Sequence, residues 1–507
     1  MKILSVDKIR EADLFTIQNE PIPDIDLMER AANACFHWLI TNIPNSKKIR
    51  IFCGTGNNGG DGLAIARLMG SKGYVTEVYL CGSQDELSPS CRINYCRLTA
   101  TASVKCNVIH DKVSLPQFHP DNDIVIDALF GSGLSRPVTG FIANLIRNIN
   151  EQASITVSID VPSGLFCDET VAASHDPAII HADHTLTFSP PKLAFFLPEN
   201  DRYIGNWHLM EIGISQEYID QAETRYYYTT QQDCKKILRR RTKFSHKGNF
   251  GHALLVCGSR GKMGAAVLAA KACLRSGPGL VTLQVPRSGN SILQTAVPEA
   301  MLFLDTEEDI FSGIPDLSPY SSIAIGPGIG QADATQRALK YLIQNSTVPV
   351  IFDADALNIL GENKTWISFV PKGSIFTPHP KEFERLAGKS SNDFERNKIQ
   401  LEFSVKYGVY VVLKGAHTAI TTPDGNCYFN ITGNPGMATG GSGDVLTGIL
   451  AGIMAQGYSS LETCLLGVFI HGLAGDLAAG KQGHEALIAS DIIEHFGNAF
   501  LSLYGEF

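Results

Sequence analysis

Short β-branched runs, each followed by a longer amphipathic stretch, recur along almost the whole chain, and this alternation constrains the fold more than any other feature. Strands separated by helices pair in parallel, so the pattern predicts parallel α/β architecture. Strands are expected at 49–53 (IRIFC), 74–80 (YVTEVYL), 123–128 (DIVIDA), 155–161 (ITVSIDV) and 184–188 (HTLTF). They resume at 252–257 (HALLVC), 280–285 (LVTLQV), 322–325 (SIAI), 349–353 (PVIFD), 374–377 (SIFT) and 409–413 (VYVVL), followed by a hairpin turning at Pro423-Asp424-Gly425. The stretch 216–230 is polar and lacks a clear period, which puts a boundary near residue 222 and predicts domains over 1–220 and 221–507. Two α/β domains of about 200–280 residues suit the length of 507 better than three of about 150.

Apolar residues make up 44% and charged residues 18%, a globular composition that excludes a disordered or fibrous chain. A net charge of −9 argues against a dedicated nucleic-acid binder or a polybasic membrane protein, so an anionic ligand must be held by local devices. The basic cluster at 235–247 (KKILRRRTKFSHK) reads first as a solvated helix face and loop, with a phosphate-facing role as the alternative. The 12 cysteines form no CxxC pair and read as reduced, mostly buried thiols of a cytoplasmic protein. No secretory leader is expected from MKILSVDKIREAD, and no membrane span, because no stretch approaches about 18 uninterrupted apolar residues.

Three strand ends in the first half carry chemistry. Gly54-Thr-Gly-Asn57-Asn58-Gly59-Gly60-Asp61-Gly62 joins a strand to the helical LAIARLMG. Its glycines permit a sharp turn and close approach to a ligand, and the helix start offers unpaired N–H groups. Two Asn and an Asp fill the tip, unlike a dinucleotide GxGxxG, and supply oxygen donors. Asp127-Ala-Leu-Phe-Gly131-Ser-Gly133-Leu-Ser-Arg136-Pro137 follows the strand at 123–128, and Asp160-Val-Pro162-Ser163-Gly164 follows that at 155–161. Each Asp alone would serve as a turn former or cap. Ligands of open parallel sheets gather beyond the carboxyl ends of the strands, so the three ends together predict one pocket.

GTGNNGGDGLAIAR, DALFGSGLSRP and IDVPSG, with LMERAANA before them, resemble the NAD(P)H-hydrate epimerases of the YjeF type; Ala32 stands where that family usually has Gly. The resemblance implies a Rossmann-like α/β/α domain that binds a hydrated nicotinamide nucleotide and a potassium ion. By that resemblance Asn57, Asn58, Gly59, Gly60 and Asp61, with Gly131, Ser132, Gly133, Leu134, Ser135, Arg136 and Pro137, line the nucleotide. Asn58, Asp127 and Ser163 hold potassium, and Asp160 faces the reacting ring. Hard oxygen donors suit a hard cation.

In the second half Gly440-Gly441-Ser442-Gly443-Asp444 precedes VLTGILAGIMAQG, an apolar helix. The glycines bring several N–H groups to a helix start and make an anion hole. Asp444, in the first turn, can cap the helix and act as a base toward a hydroxyl. This GxGD arrangement resembles the ribokinase-like superfold. Lys414-Gly415-Ala416-His417-Thr418, Asp353-Ala-Asp355-Ala-Leu-Asn358, Thr377-Pro378-His379-Pro380-Lys381-Glu382 and Gly326-Pro327-Gly328-Ile-Gly330 also follow strands. His379 by itself reads equally well as a structural histidine. With SHKGNFG, GSRGKMGAAVLAAKACLRSG and GNPGMATGGSGDVLTGI, the second half is similar to the NAD(P)H-hydrate dehydratases, with Ser442 where Thr is common. The similarity implies that Ala265, Gly328, His379 and Asp444 face the hydrate, and that Lys414, Gly415, Ala416, His417, Thr418 and Gly443 face the nucleotide.

The order epimerase then dehydratase is that of bifunctional repair enzymes acting on NADHX and NADPHX, the hydrates of NADH and NADPH. It implies interconversion of R and S hydrates by the first domain and phosphorylation-driven dehydration of the S form by the second. ADP is the expected phosphoryl donor, as in the family's bacterial members, with ATP the alternative; magnesium and a homo-oligomeric state are also expected. Two other readings stay open on sequence alone. One is a ribokinase-like vitamin-precursor kinase fused to a nucleotide-binding module; in the other, the first domain only senses a ligand or partner.

Overall fold

The computed structural model describes residues 1–101, 104–110, 116–119, 122–153, 155–170 and 177–504. The chain forms two compact units, residues 2–224 and a second from Arg225 onward.

The sheet of the first unit runs in the order Lys105–Ile109, Val75–Cys81, Lys48–Cys53, Asp123–Ala128, Thr156–Ile159, His184–Phe188, Asn206–Met210, parallel throughout. Side chains alternate across a strand, and here both faces are buried. Ile49, Ile51, Ile124 and Ile126 enter a core with helices Asp24–Asn42 and Asn57–Ser71, whereas Phe52 and Val125 enter one with helix Gly140–Gln152. The result is the Rossmann-like α/β/α layering. Lys48–Cys53 pairs with both Val75–Cys81 and Asp123–Ala128, so the direction of winding reverses there. The loops beginning at Gly54 and Leu129 leave that switch point, where an open sheet parts and a ligand can enter.

The second unit has the ribokinase-like α/β fold. Its strands follow the order Tyr226–Thr229, Cys427–Asn430, Ala419–Thr421, Tyr410–Leu413, Ile375–Phe376, Val350–Phe352, Ser322–Ile325, His252–Val256, Leu280–Val285, Met301–Leu304. Pairing is parallel except on either side of Ala419–Thr421. On one face helix Met263–Arg275 packs on helix Ser442–Ala455 so closely that a Cβ on Gly448 would lie 2.2 Å from Ala269 O. Helix Ser460–Gln482 has the length and apolar composition of a membrane span, but Leu466, Phe469 and Ile470 lie in the core beside that pair.

Every expected strand is present within two residues of its predicted bounds. The stretch 216–230 differs from its reading as an aperiodic connection: it carries helix Gln216–Gln221 and strand Tyr226–Thr229, which extends the second sheet beside Cys427–Asn430. The basic cluster is solvated as expected, with Lys235, Lys236, Arg239, Arg240, Arg241, Lys243 and Lys247 all exposed, and two of its arginines also cover aromatic rings. Arg239 lies over the Tyr458 ring at 4.2 Å and bonds Glu462, and Arg241 lies over Phe250 at 3.9 Å.

Candidate active sites

Beyond the switch point of the first sheet, the tight loops are forced by backbone crowding. A Cβ on Gly59 would lie 1.9 Å from Gly54 O, and one on Gly54 2.0 Å from Leu129 O, so no larger residue fits either place. Asn57 begins helix Asn57–Ser71, and its Oδ1 accepts a bond from Ser88 Oγ at 2.7 Å. Asn58 is buried; its Nδ2 donates to Ile159 O at 3.2 Å, while Oδ1 has no partner. Asp127 is fully buried and accepts bonds from Ser163 Oγ (2.5 Å), Ser163 N (2.8 Å), Ser158 Oγ (2.8 Å) and Leu129 N (3.2 Å). Burial pushes its pKa up, and those four bonds pull against the rise.

Asp160 adopts φ 65°, the left-handed region that costs a non-glycine residue about 1 kcal/mol or more. Its Oδ2 accepts from Ser132 N at 3.0 Å, tying it to the loop after Gly131, and a Cβ on Gly131 would lie 3.2 Å from that same oxygen. Two groups that the sequence reading missed complete the site. Lys192, 1% exposed, bonds Asp160 Oδ1 at 2.6 Å, and Asp13 projects from helix Val6–Asn19. Burial and then the Asp160 charge raise Asp13 to about 6, and burial, Asp160 and Asp13 lift Asp61 well above the ordinary carboxyl range. Asp13 and Asp61 therefore keep their protons to higher pH than an ordinary carboxyl group does. Farther along the loop Gly133 O accepts from Arg10, Leu134 is half-buried, and Ser135, Arg136 and Pro137 are exposed. Lys192 was legible as a further strand end, four residues beyond His184–Phe188; Asp13, on an ordinary amphipathic helix, had no such signal.

The second site is assembled around Asp353 at the end of strand Val350–Phe352. Its Oδ1 accepts from Lys414 Nζ (2.9 Å) and Thr377 Oγ1 (2.8 Å), and its Oδ2 from Thr447 Oγ1 (2.8 Å), so two neighbouring strand ends and helix Ser442–Ala455 meet on one buried carboxylate. Gly441, at φ 93°, turns the chain into that helix and is itself the cap, with no side-chain cap bond. Asp444 thus sits in the first turn without being the cap, which corrects half of its expected role. Burial first, then the charges of Asp353 and Asp355 opposed by Lys414, raise Asp444 to about 6. Gly443 leaves room beside Lys414: a Cβ there would be 3.5 Å from Nζ. Burial of Lys414 works against its charge, and Asp353, Glu382 and Asp444 outweigh it, so its pKa is raised.

Around this hub, a Cβ on Gly328 (φ 66°) would lie 3.4 Å from Ala265 Cβ, so two expected substrate residues are neighbours. Gly415 N and Thr418 Oγ1 close a small turn at 3.4 Å, with Ala416 exposed at its tip, and His417 Nδ1 lies 3.4 Å from Asn430 O. His379 is the N-cap of helix Pro380–Ala387: its Nδ1 accepts from Lys381 N and Glu382 N, leaving Nε2 3.5 Å from Glu382 Oε1. His471, also missed from sequence, donates to Ser442 O at 3.0 Å; burial foremost pushes it down to about 4, so it is a neutral donor. Among the described residues no group of three or more His, Cys, Asp or Glu side chains is arranged to hold a metal.

The two folds with their strand-end sites define a two-part nucleotide-handling α/β enzyme. Residues 24–194 match the family model described as YjeF-related protein N-terminus, and residues 253–497 that of NAD(P)H-hydrate dehydratase. The bifunctional NAD(P)H-hydrate repair enzyme of Thermofilum pendens is 34% identical over 521 residues, covering 100% of this chain and 98% of its own. That of Moorella thermoacetica is 34% identical, covering 97% and 96%. The crystal structure of ADP/ATP-dependent NAD(P)H-hydrate dehydratase from Bacillus subtilis, co-crystallised with ATP and Mg2+, is 28% identical with a TM-score of 0.48, covering 55% of this chain and 100% of that one. The chain belongs to the family of bifunctional NAD(P)H-hydrate repair enzymes.

Proposed function

We infer that the chain repairs NADH and NADPH that have taken up water at C6 of the nicotinamide ring, the first unit exchanging the R and S hydrates and the second dehydrating the S hydrate. Hydration destroys the dihydropyridine, and with it hydride transfer. Inverting C6, which carries both a hydroxyl and the ring nitrogen, requires a bond to that carbon to break and re-form, either C6–O or ring C–N. Both routes need a proton donor and a proton acceptor at the ring. Asp160 is the acceptor, and Asp13, lifted to about 6, is a carboxyl able to hold a proton nearby.

Asn58, Asp127 and Ser163 hold potassium in this reading. The buried, unpartnered Asn58 Oδ1 and the fully buried Asp127 carboxylate are the donor set a hard monovalent cation takes. When bound, the cation supplies fixed positive charge that orders the loop ends.

In the second unit hydroxide is a poor leaving group, so the C6 hydroxyl is first phosphorylated. Asp444 takes its proton as the terminal phosphoryl group passes from ADP, leaving AMP. Phosphate then departs from C6 as a proton leaves C5, restoring the ring double bond. The Gly441–Gly443 amides and Lys414 stabilise charge on the moving phosphoryl group. Magnesium, when bound, shields phosphate charge, and a cation carried mainly by phosphates and water needs few protein ligands. The observation that carries this reading is Asp444 in the first turn behind Gly441, beside the Lys414–Asp353 pair. The test is incubation with mixed hydrates, ADP and magnesium. Full recovery of dihydronicotinamide absorbance, with AMP and phosphate formed in equal amounts, is expected. A stable phosphorylated product would instead indicate a kinase.

A further inference from the structure

We propose that Lys192 is the positioning residue of the epimerase site, a fixed ammonium that holds Asp160 in place and does not itself carry the proton. The proposal rests on the reading of Asp160 as the group that works at the ring.

A lysine that is 1% exposed needs a reason, because an ammonium taken out of water costs several kcal/mol unless it is paired and its hydrogens are bonded. Here all three hydrogens have acceptors: Asp160 Oδ1 at 2.6 Å, Thr187 Oγ1 at 3.0 Å and Phe188 O at 2.9 Å. An ammonium has three donors and no acceptor, so this lysine is saturated. A shuttling amine has to release one of those bonds and turn toward substrate, and nothing in this cage favours that. Two of the partners, Thr187 and Phe188, belong to strand His184–Phe188, so the charge is anchored to a rigid element.

What it anchors is strained. Asp160 sits at φ 65°, and its amide donates to Leu186 O at 2.8 Å on that same strand. With Oδ1 held by Lys192 and Oδ2 by Ser132 N, both carboxylate oxygens are located, and Oδ2 is joined to the loop that lines the nucleotide. Asp13 and Asp61 are carboxyl groups whose fields overlap that of Asp160. Lys192 is thus the cation against which the carboxylate is oriented. Without it Asp160 loses one of its two holds and faces two further carboxyl groups, so the expected defect lies in turnover more than in binding.

The test uses full-length Lys192→Ala, Lys192→Met and Asp160→Asn, with dehydration of pure S hydrate as the internal measure of folding. Both Lys192 variants are expected to lose epimerisation kcat by about 10²-fold or more with KM changed less than about threefold, at unchanged dehydration. Ethylammonium is expected to restore part of the Lys192→Ala rate by entering the vacated space, and ethanol at the same concentration to restore none. Met fills that space, so the Lys192→Met variant is expected to resist rescue. A well-folded Lys192→Met enzyme keeping more than about a tenth of wild-type kcat overturns the proposal. Equal rescue by ethanol and ethylammonium overturns it too, since packing rather than charge would then be missing. Asp160→Asn is expected to be inactive in epimerisation; if it stays active, the reading of Asp160 falls first and the role of Lys192 with it.

Discussion

Asp444 has the environment of a base: a carboxylate lifted to about 6 by burial and by Asp353, with Lys414 tempering the rise. A base works ionised, so dehydration kcat/KM is expected to be full only well above pH 6, to be halved near pH 6 and to keep falling below it. Asp444→Asn removes the base and is expected to lower turnover by roughly 10²–10⁴-fold while epimerisation and ADP binding persist. Stability moves the other way. A raised carboxylate pKa means that the folded state keeps its proton longer than the unfolded state, so ionisation above pH 6 costs folding energy. The Asn variant is spared that cost and loses no cap, because Gly441 is the cap. It is expected to melt at or slightly above wild type at pH 8. A melting point several degrees lower, with turnover largely kept, would make Asp444 a structural residue. In the other unit, Asp127→Ala is expected to weaken potassium dependence and epimerisation and to leave dehydration unchanged. Isothermal titration with potassium checks it: wild-type affinity in the variant would remove Asp127 from the cation site. The motif residues were legible because they sit in glycine-rich strand ends. Their supports were not, since Thr447 and His471 read as ordinary members of apolar helices until folding turns them toward Asp353 and Ser442.

Strands at the margins escaped the sequence reading, and for one physical reason. Lys105–Ile109, Asn206–Met210 and Met301–Leu304 close the ends of their sheets and are largely half-buried or exposed, so none carries the pattern of a buried strand: the first two mix polar with apolar residues, and the third is only four residues long. Interior strands such as Ser322–Ile325 are buried on both faces and read as near-continuous apolar runs. Tyr226–Thr229 was hidden differently, its tyrosines looking polar in sequence although Tyr227 stacks on Tyr428 at 4.9 Å. Helix packing depends on a subtler signal, the Gly448–Gly452 spacing in Ser442–Ala455. A Cβ on Gly448 would meet Ala269 O at 2.2 Å and Ala272 Cβ at 2.8 Å, and one on Gly452 would meet Ser276 Oγ at 1.9 Å. Gly448→Ala gains helix propensity of about 1 kcal/mol, but overpacking against backbone costs about 1–3 kcal/mol. The Ala269 carbonyl cannot swing aside as a side chain tip would, so the cost is expected to win. A lower denaturation midpoint for the second unit, with reduced dehydration, is the expected result; a raised midpoint would mean that the helix pair separates freely.

At the scale of the whole chain, each unit has its own set of strands around its site and its own cores. The division at Thr224–Arg225 lies just before strand Tyr226–Thr229, which pairs through four residues with Cys427–Asn430. A fragment of residues 225–507 therefore keeps that strand and is expected to fold alone. Beginning at residue 231 instead removes the strand, bares the hydrogen-bonding edge of Cys427–Asn430 and unstacks Tyr428, so that fragment is expected to aggregate. The 225–507 fragment has the Asp444 site and none of the Asp160 site, so with ADP it is expected to consume the S hydrate and leave the R hydrate at its spontaneous rate of exchange. Adding residues 1–224 as a separate polypeptide should then restore consumption of both, because epimerisation only has to supply S hydrate to solution. Chromatography that resolves the two epimers reads both outcomes. Similar rates for R and S with the second fragment alone would end the division of labour, since one site would then be acting on both configurations at C6.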